Sequence, residues 1–524
     1  MSDAGQGASD GPATIRLPRV QLTGNTKFAA AGDFNSPPPS GGSDEDTVRV
    51  PHLGQTQEPE PPRNRRGAAK AALITGCSLL VILAIAAGMA WNDSSVTRPL
   101  GLNALFAGTV APAPPGSVNP VLGQLPGSAP IPTAAGLNAT LAGPSANPEL
   151  KKFGGIVVDP SNDQVLWKKA ATDIFTPASS QKLLTGAAVL LGLDHESRFT
   201  TKVVQGAEPG TVVLVGGGDV TLISGAQTRF PGAAKLDDLA AGLKGQKISK
   251  ILVDISRYTG DPMAPGWDVA DIRAGDQGNI APMQPLMMDA GRDRPLEDTS
   301  PRQERPALTV GQALAQRLGV DPNAVSLGNA PANAQSIAEV QSPTFPRLLA
   351  MGLQDSDNVL LEALGRELAI KQGKPASFAG VTQAVLGTLK QNGIDTDGAV
   401  MFDASGLSTQ DKLHPQALAN VLSAAVKDGP LTPKLRPLLD GLPVAGGTGS
   451  LVKRYDQPAG QPGRGWVRAK TGSLTGVNAL AGIVTDVDGK LLVFAMISND
   501  SNPFTARPAL DAVAAAIRGC GCRQ

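Results

Sequence analysis

The chain has 524 residues, 41% of them apolar, enough for two or three domains and at least one sizeable core, which excludes a peptide hormone or a small disulfide scaffold. Lysine plus arginine and aspartate plus glutamate both number 46, so the formal net charge is zero and no basic excess is available to neutralise phosphates; nucleic acid is not expected as a partner. The three histidines (His52, His195, His414) and three cysteines (Cys77, Cys520, Cys522) do not cluster at ligand spacing, so no metal or cofactor is expected, and a mechanism with a histidine base is handicapped.

Residues 1–62 hold nine prolines and clusters such as SGGSDED without helical or strand periodicity, so 1–66 is read as a disordered cytoplasmic tail. The anchor, 67–91, contains an uncharged run, 71–91, that ends in Trp91 and is long enough to span about 30 Å of hydrocarbon as a helix. Arg63, Arg65, Arg66 and Lys70 stand before it, which keeps the N-terminus in the cytoplasm and exports the chain beyond Trp91. A cleaved signal peptide would need a charged region of about 66 residues, so the expectation is an uncleaved single-pass anchor. Ile74-Thr75-Gly76-Cys77 resembles a lipoprotein box but lies near the start of the apolar run instead of its end. Residues 92–131, rich in proline, alanine and glycine, read as an extracytoplasmic tether.

From about 133 the pattern becomes globular. AAGLNATLAG can start a helix, and FGGIVVDPSNDQVLWKK reads as two strands joined by a turn. A long apolar helix is expected from Ser179, then the strand-like pieces FTTKVVQG, TVVLVGGG and KILVDIS. Helical patterns return in PALTVGQALAQRL, FPRLLAMGL, VLLEALGRELAI and PQALANVLSAAV. VNALAGIVTDVDGKLLVFAMIS is a hairpin around Asp-Val-Asp-Gly, and ARPALDAVAAAIRG is a closing helix. Helices around a largely antiparallel sheet indicate a mixed α/β (α+β) fold. Cys520 and Cys522, with only Gly521 between them, are read equally as a tight disulfide or as two idle thiols.

Three short motifs carry chemistry. In Ser179-Ser180-Gln181-Lys182, the i to i+3 spacing stacks the lysine one turn above the serine at a helix start, where free N–H groups face any developing oxyanion. A desolvated lysine can activate a serine where no histidine is available. The same pattern recurs at Ser450 and Lys453, and a helix N-cap beside a solvated lysine is the plainer reading. Ser356-Asp357-Asn358 precedes a helix; Ser356 and Asn358 can both face a cleft, or simply cap the helix, and the same serine-to-asparagine spacing recurs at Ser117/Asn119 and Ser145/Asn147. Lys470-Thr471-Gly472-Ser473 opens a strand and offers a cation and two hydroxyls to an anionic group, with Gly472 expected to let a substrate backbone approach; a solvated edge strand is the alternative.

In this order the three motifs form the signature of penicillin-binding proteins and class A β-lactamases. With TPASSQKLLTGAAVL, VLVGGGDVTL, SDNVLLEALGRELA, DASGLS, LPVAGGTGSLVKR and RAKTGSLTGVNALAG, the chain from about 133 to 524 resembles the D-alanyl-D-alanine carboxypeptidase/endopeptidase family of low-molecular-mass class C penicillin-binding proteins. The resemblance implies a transpeptidase/β-lactamase-like domain over 132–198 and 336–524, with a strand-rich inserted domain over 199–335. It implies Ser179 as the acylated nucleophile and Lys182 as its base. Ser356 would relay a proton, Asn358 would orient the substrate amide, and Lys470, Thr471 and Ser473 would hold the substrate carboxylate. The N–H groups of Ser179 and Ser473 would form the oxyanion hole. Substrates would be the D-Ala-D-Ala ends of peptidoglycan stem peptides, possible cross-link cleavage included, and β-lactams would be covalent inhibitors.

Three other readings compete. A β-lactamase needs fast deacylation, yet 370–440 contain no glutamate, and Tyr258 and Tyr455 do not stand in a Tyr-x-Asn motif. A membrane-tethered wall-binding protein with a dead site would be expected to have lost the serine or the lysine. A Ser-His-Asp hydrolase is weaker still, because Gly-x-Ser-x-Gly occurs only at 7–11, in the tail. His414 is expected to stand before a helix, and the GGGD stretch at 216–219 to be a turn, since no Lys-Ser/Thr comes after it.

Overall fold

The computed structural model describes residues 129–522. The expected tail, the run 71–91 and the tether up to residue 128 lie outside the described residues. Among the described residues no helix is long and apolar enough to cross a membrane.

Taking helices of ten residues or more, α1 (Ala134–Ser145) leads to the hairpin β1 (Lys152–Asp159) and β2 (Gln164–Lys169). A 3-10 turn, Ala178–Gln181, runs directly into α2 (Lys182–Gly192). Then come β3 (Arg198–Gln205), β4 (Thr211–Val215), β5 (Asp219–Leu222), β6 (Lys250–Asp254) and β7 (Leu286–Met288), followed by α3 (Pro306–Leu318), β8 (Val325–Leu327) and β9 (Ser336–Thr344). Helices α4 (Phe345–Gln354), α5 (Asn358–Lys371), α6 (Phe378–Gln391) and α7 (Pro415–Val426) precede β10 (Val467–Leu474), β11 (Val477–Thr485), β12 (Leu491–Asn499) and α8 (Pro503–Arg518).

The first sheet is antiparallel in the order β10-β11-β12-β1-β2, so the C-terminal hairpin is completed by strands from the start of the head. Period-two alternation divides its side chains between two cores. Val493, Ala495 and Ile497 of β12 face α2 and α4–α7, whereas Leu492, Phe494 and Met496 pack with α1 and α8. Helix α2 is buried from Lys182 to Leu190, and its small residues permit this: a Cβ on Gly186 would stand 2.8 Å from Leu438 and 3.1 Å from Leu349. The lysine at its first position is thereby taken out of water.

The second sheet, β8-β6-β4-β3-β9, has its own core, with Val203, Val212, Leu214, Ile251 and Val253 packed against Val310 and Leu314 of α3. The sheet is mixed, with β4, β6 and β8 mutually parallel, because helical segments, not hairpins, connect those strands. It also takes its edge strand from Ser336–Thr344, beyond the expected boundary at 335, because β9 returns to pair with β3.

Helix α6 is absent from the sequence-based expectation. Its FAGVTQAVLGTLKQ segment mixes glycines and β-branched residues that weaken helix propensity, and burial of Phe378, Val381, Ala384, Val385 and Leu389 offsets this. His414 caps α7: its Nδ1 accepts from Ala417 N at 3.1 Å and its Nε2 lies 2.8 Å from the Asp397 carbonyl, a structural role. Cys520 and Cys522 are disulfide-bonded beside Thr140 of α1.

Candidate active site

The three motifs converge on one cleft of about 310 Å³, lined among others by Ser179, Ser356, Asn358 and Ser473. A larger cavity, about 650 Å³, lies against α7 and the 392–395 loop and is lined by none of the motif residues.

Ser179 lies in the 3-10 turn, half-buried, just after Ala178, which is held at φ 49°. Lys182 Nζ is 2.8 Å from Ser179 Oγ, 2.6 Å from Asn358 Oδ1 and 2.7 Å from the Ser405 carbonyl. Asn358 donates its Nδ2 to the Asn279 carbonyl at 3.1 Å, which leaves its Oδ1 facing the lysine. A neutral amine has two N–H bonds and one lone pair. Asn358 Oδ1 and the Ser405 carbonyl can only accept, so they take the two N–H bonds and direct the lone pair at the serine hydroxyl. Burial lowers Lys182 to about 8 from an ordinary 10.5, against the opposing pull of Asp403, Asp357, Glu362 and Asp411.

Lys470, on edge strand β10, is also fully buried, and its Nζ donates to Ser356 Oγ at 2.8 Å and to the Thr471 carbonyl at 2.7 Å. Desolvation, with the charge of Lys182 second, holds its pKa well below the usual lysine value. Ser356 has φ 57°, a left-handed conformation that serine adopts at a cost of about 1–3 kcal/mol. Capping of α5 falls to Asp357, whose Oδ1 accepts from Leu360 N at 2.8 Å, and this frees Ser356 and Asn358 to engage one lysine each.

Thr471 Oγ1 is 2.7 Å from Ser450 Oγ, so the serine of the second Ser-x-x-Lys match bonds the Lys-Thr-Gly strand, while its Lys453 is exposed. Gly472 has a packing role besides the substrate approach expected of it. A Cβ there would stand 2.7 Å from the Pro177 carbonyl and 3.1 Å from Ser180 N, so the missing side chain lets β10 lie on the turn that carries the nucleophile. Gly472→Ala should therefore push β10 off that turn and lower the acylation rate by about 10². An alanine variant with the wild-type acylation rate, measured by stopped-flow with a chromogenic β-lactam, would refute this packing role.

Sequence reasoning missed the layer beneath Lys182. Asp403 gathers the 403–408 loop by accepting from Ser405 N, Gly406 N and Ser408 N, together with Gln181 Nε2 and Trp267 Nε1. Glu362 Oε1 accepts from Ala404 N and Ser405 N, and Glu362 forms a buried pair with Arg366 at 3.3 Å. Burial, then the charge of Asp403, pushes Glu362 up to about 7 and Asp411 up to about 10. These contacts aim the Ser405 carbonyl at Lys182. The available signal was a charged residue inside the apolar run VLLEAL and the aspartate opening DASGLS.

A serine hydroxyl bonded by a buried lysine, with a second buried lysine across the cleft, is an arrangement able to perform acyl transfer. The chain belongs to the D-Ala-D-Ala carboxypeptidase 3 (S13) family, which matches residues 137–296 and 295–517, and it is a D-Ala-D-Ala carboxypeptidase. It is 46% identical over 435 residues to carboxypeptidase DacB of Mycolicibacterium smegmatis, covering 80% of this chain and 93% of that protein. Its fold is similar to that of penicillin-binding protein 4 (DacB) from Haemophilus influenzae, with a TM-score of 0.56 at 23% identity, covering 74% of this chain and 98% of that one. A structure of the same Haemophilus protein complexed with a β-lactam matches with a TM-score of 0.51 at 24% identity, over 73% and 97% of the two chains.

Proposed function

We propose that this chain trims peptidoglycan stem peptides on the exported side of a bacterial membrane through an acyl-enzyme on Ser179. The observation that carries the reading is Lys182 Nζ, buried and 2.8 Å from Ser179 Oγ. Ser179 Oγ attacks the carbonyl carbon of the penultimate D-Ala while its proton passes to Lys182. The tetrahedral oxyanion collapses, the C–N bond breaks, and the proton reaches the leaving amine by way of Ser356. Lys182 then takes a proton from water as it attacks the ester carbonyl; the C–Oγ bond breaks, Lys182 returns the proton to Ser179 Oγ, and the shortened peptide leaves.

Among the described residues Lys470 has hydroxyl and carbonyl partners but no carboxylate within bonding distance, so a substrate carboxylate is the counter-ion that fits beside it, with Thr471 and Ser473 on the same strand. Asn358 would orient the substrate amide, and the N–H groups of Ser179 and Ser473 would receive the oxyanion. On a cross-link the same chemistry would release the amine of a neighbouring stem. A β-lactam would acylate Ser179 with its leaving amine still tethered. The export assignment is supported by the uncharged run 71–91 behind its basic cluster.

The test is labelling with fluorescent penicillin and release of D-Ala from a pentapeptide, comparing wild type with Ser179→Ala. Wild type should form the adduct and release D-Ala, and the alanine variant should do neither. An adduct on the alanine variant would remove Ser179 from the nucleophile's role. Cleavage of a cross-linked dimer, measured alongside, gives the balance between carboxypeptidase and endopeptidase action.

A further inference from the structure

The segment between the first and second motifs does more than form a separate layer, because its 289–302 turn reaches the loop that carries Ser356 and Asn358. Arg292 Nη2 bonds Asp357 Oδ2 at 2.8 Å, and the two side chains are 2% and 1% exposed. The guanidinium also donates to the carbonyls of Glu297 at 3.1 Å and Asp289 at 3.2 Å, and it lies 5.8 Å from the Phe230 ring centre. It is thus fixed from several sides before it meets the carboxylate.

The backbone that presents it is unusual. Asp289, Ala290 and Gly291 have φ of 49°, 55° and 74°, three consecutive left-handed residues where isolated ones are the rule. The Asp289 carboxylate holds this turn by accepting from Ser224 Oγ at 2.6 Å and Thr228 Oγ1 at 3.0 Å. Arg302 braces it from the other side, donating to the Ala290 carbonyl at 2.7 Å. Strain held in this way has a structural consequence: it aims one arginine at one aspartate.

That aspartate stands between the two residues that touch the lysines. Ser356, at φ 57°, reaches Lys470, and Asn358 reaches Lys182. With one Asp357 oxygen capping α5 and the other on Arg292, the peptide between them has little freedom to relax toward an ordinary conformation.

We infer that Arg292 is a positioning residue for the carboxypeptidase reaction, acting through Asp357 to hold Ser356 and Asn358 against Lys470 and Lys182. The inference rests on the acyl-enzyme reading of Ser179. It deepens that reading by making the inserted segment part of the catalytic device. Proton delivery to the leaving amine needs Ser356 in place, so its loss should lower kcat more than it raises KM.

The experiment compares wild type, Arg292→Met, Arg292→Lys and the double variant Arg292→Met/Asp357→Asn on a D-Ala-D-Ala pentapeptide, with β-lactam acylation rates and thermal melting measured in parallel. Arg292→Met should lose about 10² in kcat with KM changed by less than about threefold, and Arg292→Lys should recover part of the loss. In the double variant Arg292 and its carboxylate partner are removed together, Arg302 keeps its backbone carbonyl acceptors, and asparagine still caps α5, so it should fold while remaining slow. A folded double variant with wild-type kcat overturns the inference. So does a double variant that cannot fold, since the pair would then hold the fold and not the geometry. Failure of wild type to release D-Ala or to form the adduct would instead refute the acyl-enzyme reading itself.

Discussion

Lys182→Met should lower the rate of acylation by about 10² to 10⁴, the usual contribution of a placed base, and should abolish the dependence of that rate on pH near 8. With Lys182 at about 8, roughly a tenth of the enzyme carries the neutral amine at pH 7, against about one part in three thousand for an ordinary lysine. The sign comes from the role of the base: only the neutral amine accepts the serine proton, so kcat/KM should rise with pH through about 8 and level off above it. Arginine at this position stays charged and cannot substitute. The check is kcat/KM for pentapeptide and second-order acylation by a chromogenic β-lactam, each from pH 6 to 9.5. A methionine variant within threefold of wild type, or one that keeps the rise near pH 8, would mean that another group takes the proton.

Asp403→Ala should destabilise the protein by about 3–5 kcal/mol and reduce acylation as well. Its carboxylate accepts from three successive backbone segments at Ser405, Gly406 and Ser408, at 3.0, 2.6 and 2.7 Å, and from Trp267 Nε1 at 2.7 Å. Each buried donor left without a partner costs about 1–3 kcal/mol, and relaxation of the loop keeps the total below the sum. The same loop supplies the Ser405 carbonyl to Lys182, so the stability loss and the rate loss should appear together. Asp403→Asn should retain about half the acceptors and most of the fold. It also removes a negative charge that raises Lys182, so its pH limb should move to lower pH. Urea denaturation monitored by tryptophan fluorescence and by activity tests both effects. An alanine variant with an unchanged midpoint would show that the loop does not depend on this carboxylate.

These two experiments bear on groups of different visibility in the sequence. Ser179 and Lys182 could be found because their relation is local: three residues along a helical turn put both groups on one side, whatever the rest of the chain does. The hairpin through Asp486-Val487-Asp488-Gly489 and the closing helix were equally legible, since a period of two or of 3.6 with a turn signal needs no distant partner. Helix α6 was not, because its glycines and β-branched residues argue against a helix that burial then stabilises. The parallel pairing of β4, β6 and β8 was also hidden, since pairing is a relation between segments that no local pattern encodes.

Composition counted against a histidine base. With three histidines dispersed along 524 residues and a lysine one turn from a serine, the sequence by itself determined where a lysine-activated serine could lie, and the three motifs in order carried the resemblance to one family. Only the tertiary structure decided why that lysine can act. Its lowered pKa comes from burial of α2, its lone pair is directed by Asn358 and the Ser405 carbonyl, and Asp357 is held by Arg292 from the inserted segment. Those groups are 176, 223 and 65 residues apart from their partners in sequence. Desolvation and hydrogen-bond direction depend on what surrounds an atom in space, so they come into being only when those distant segments pack together.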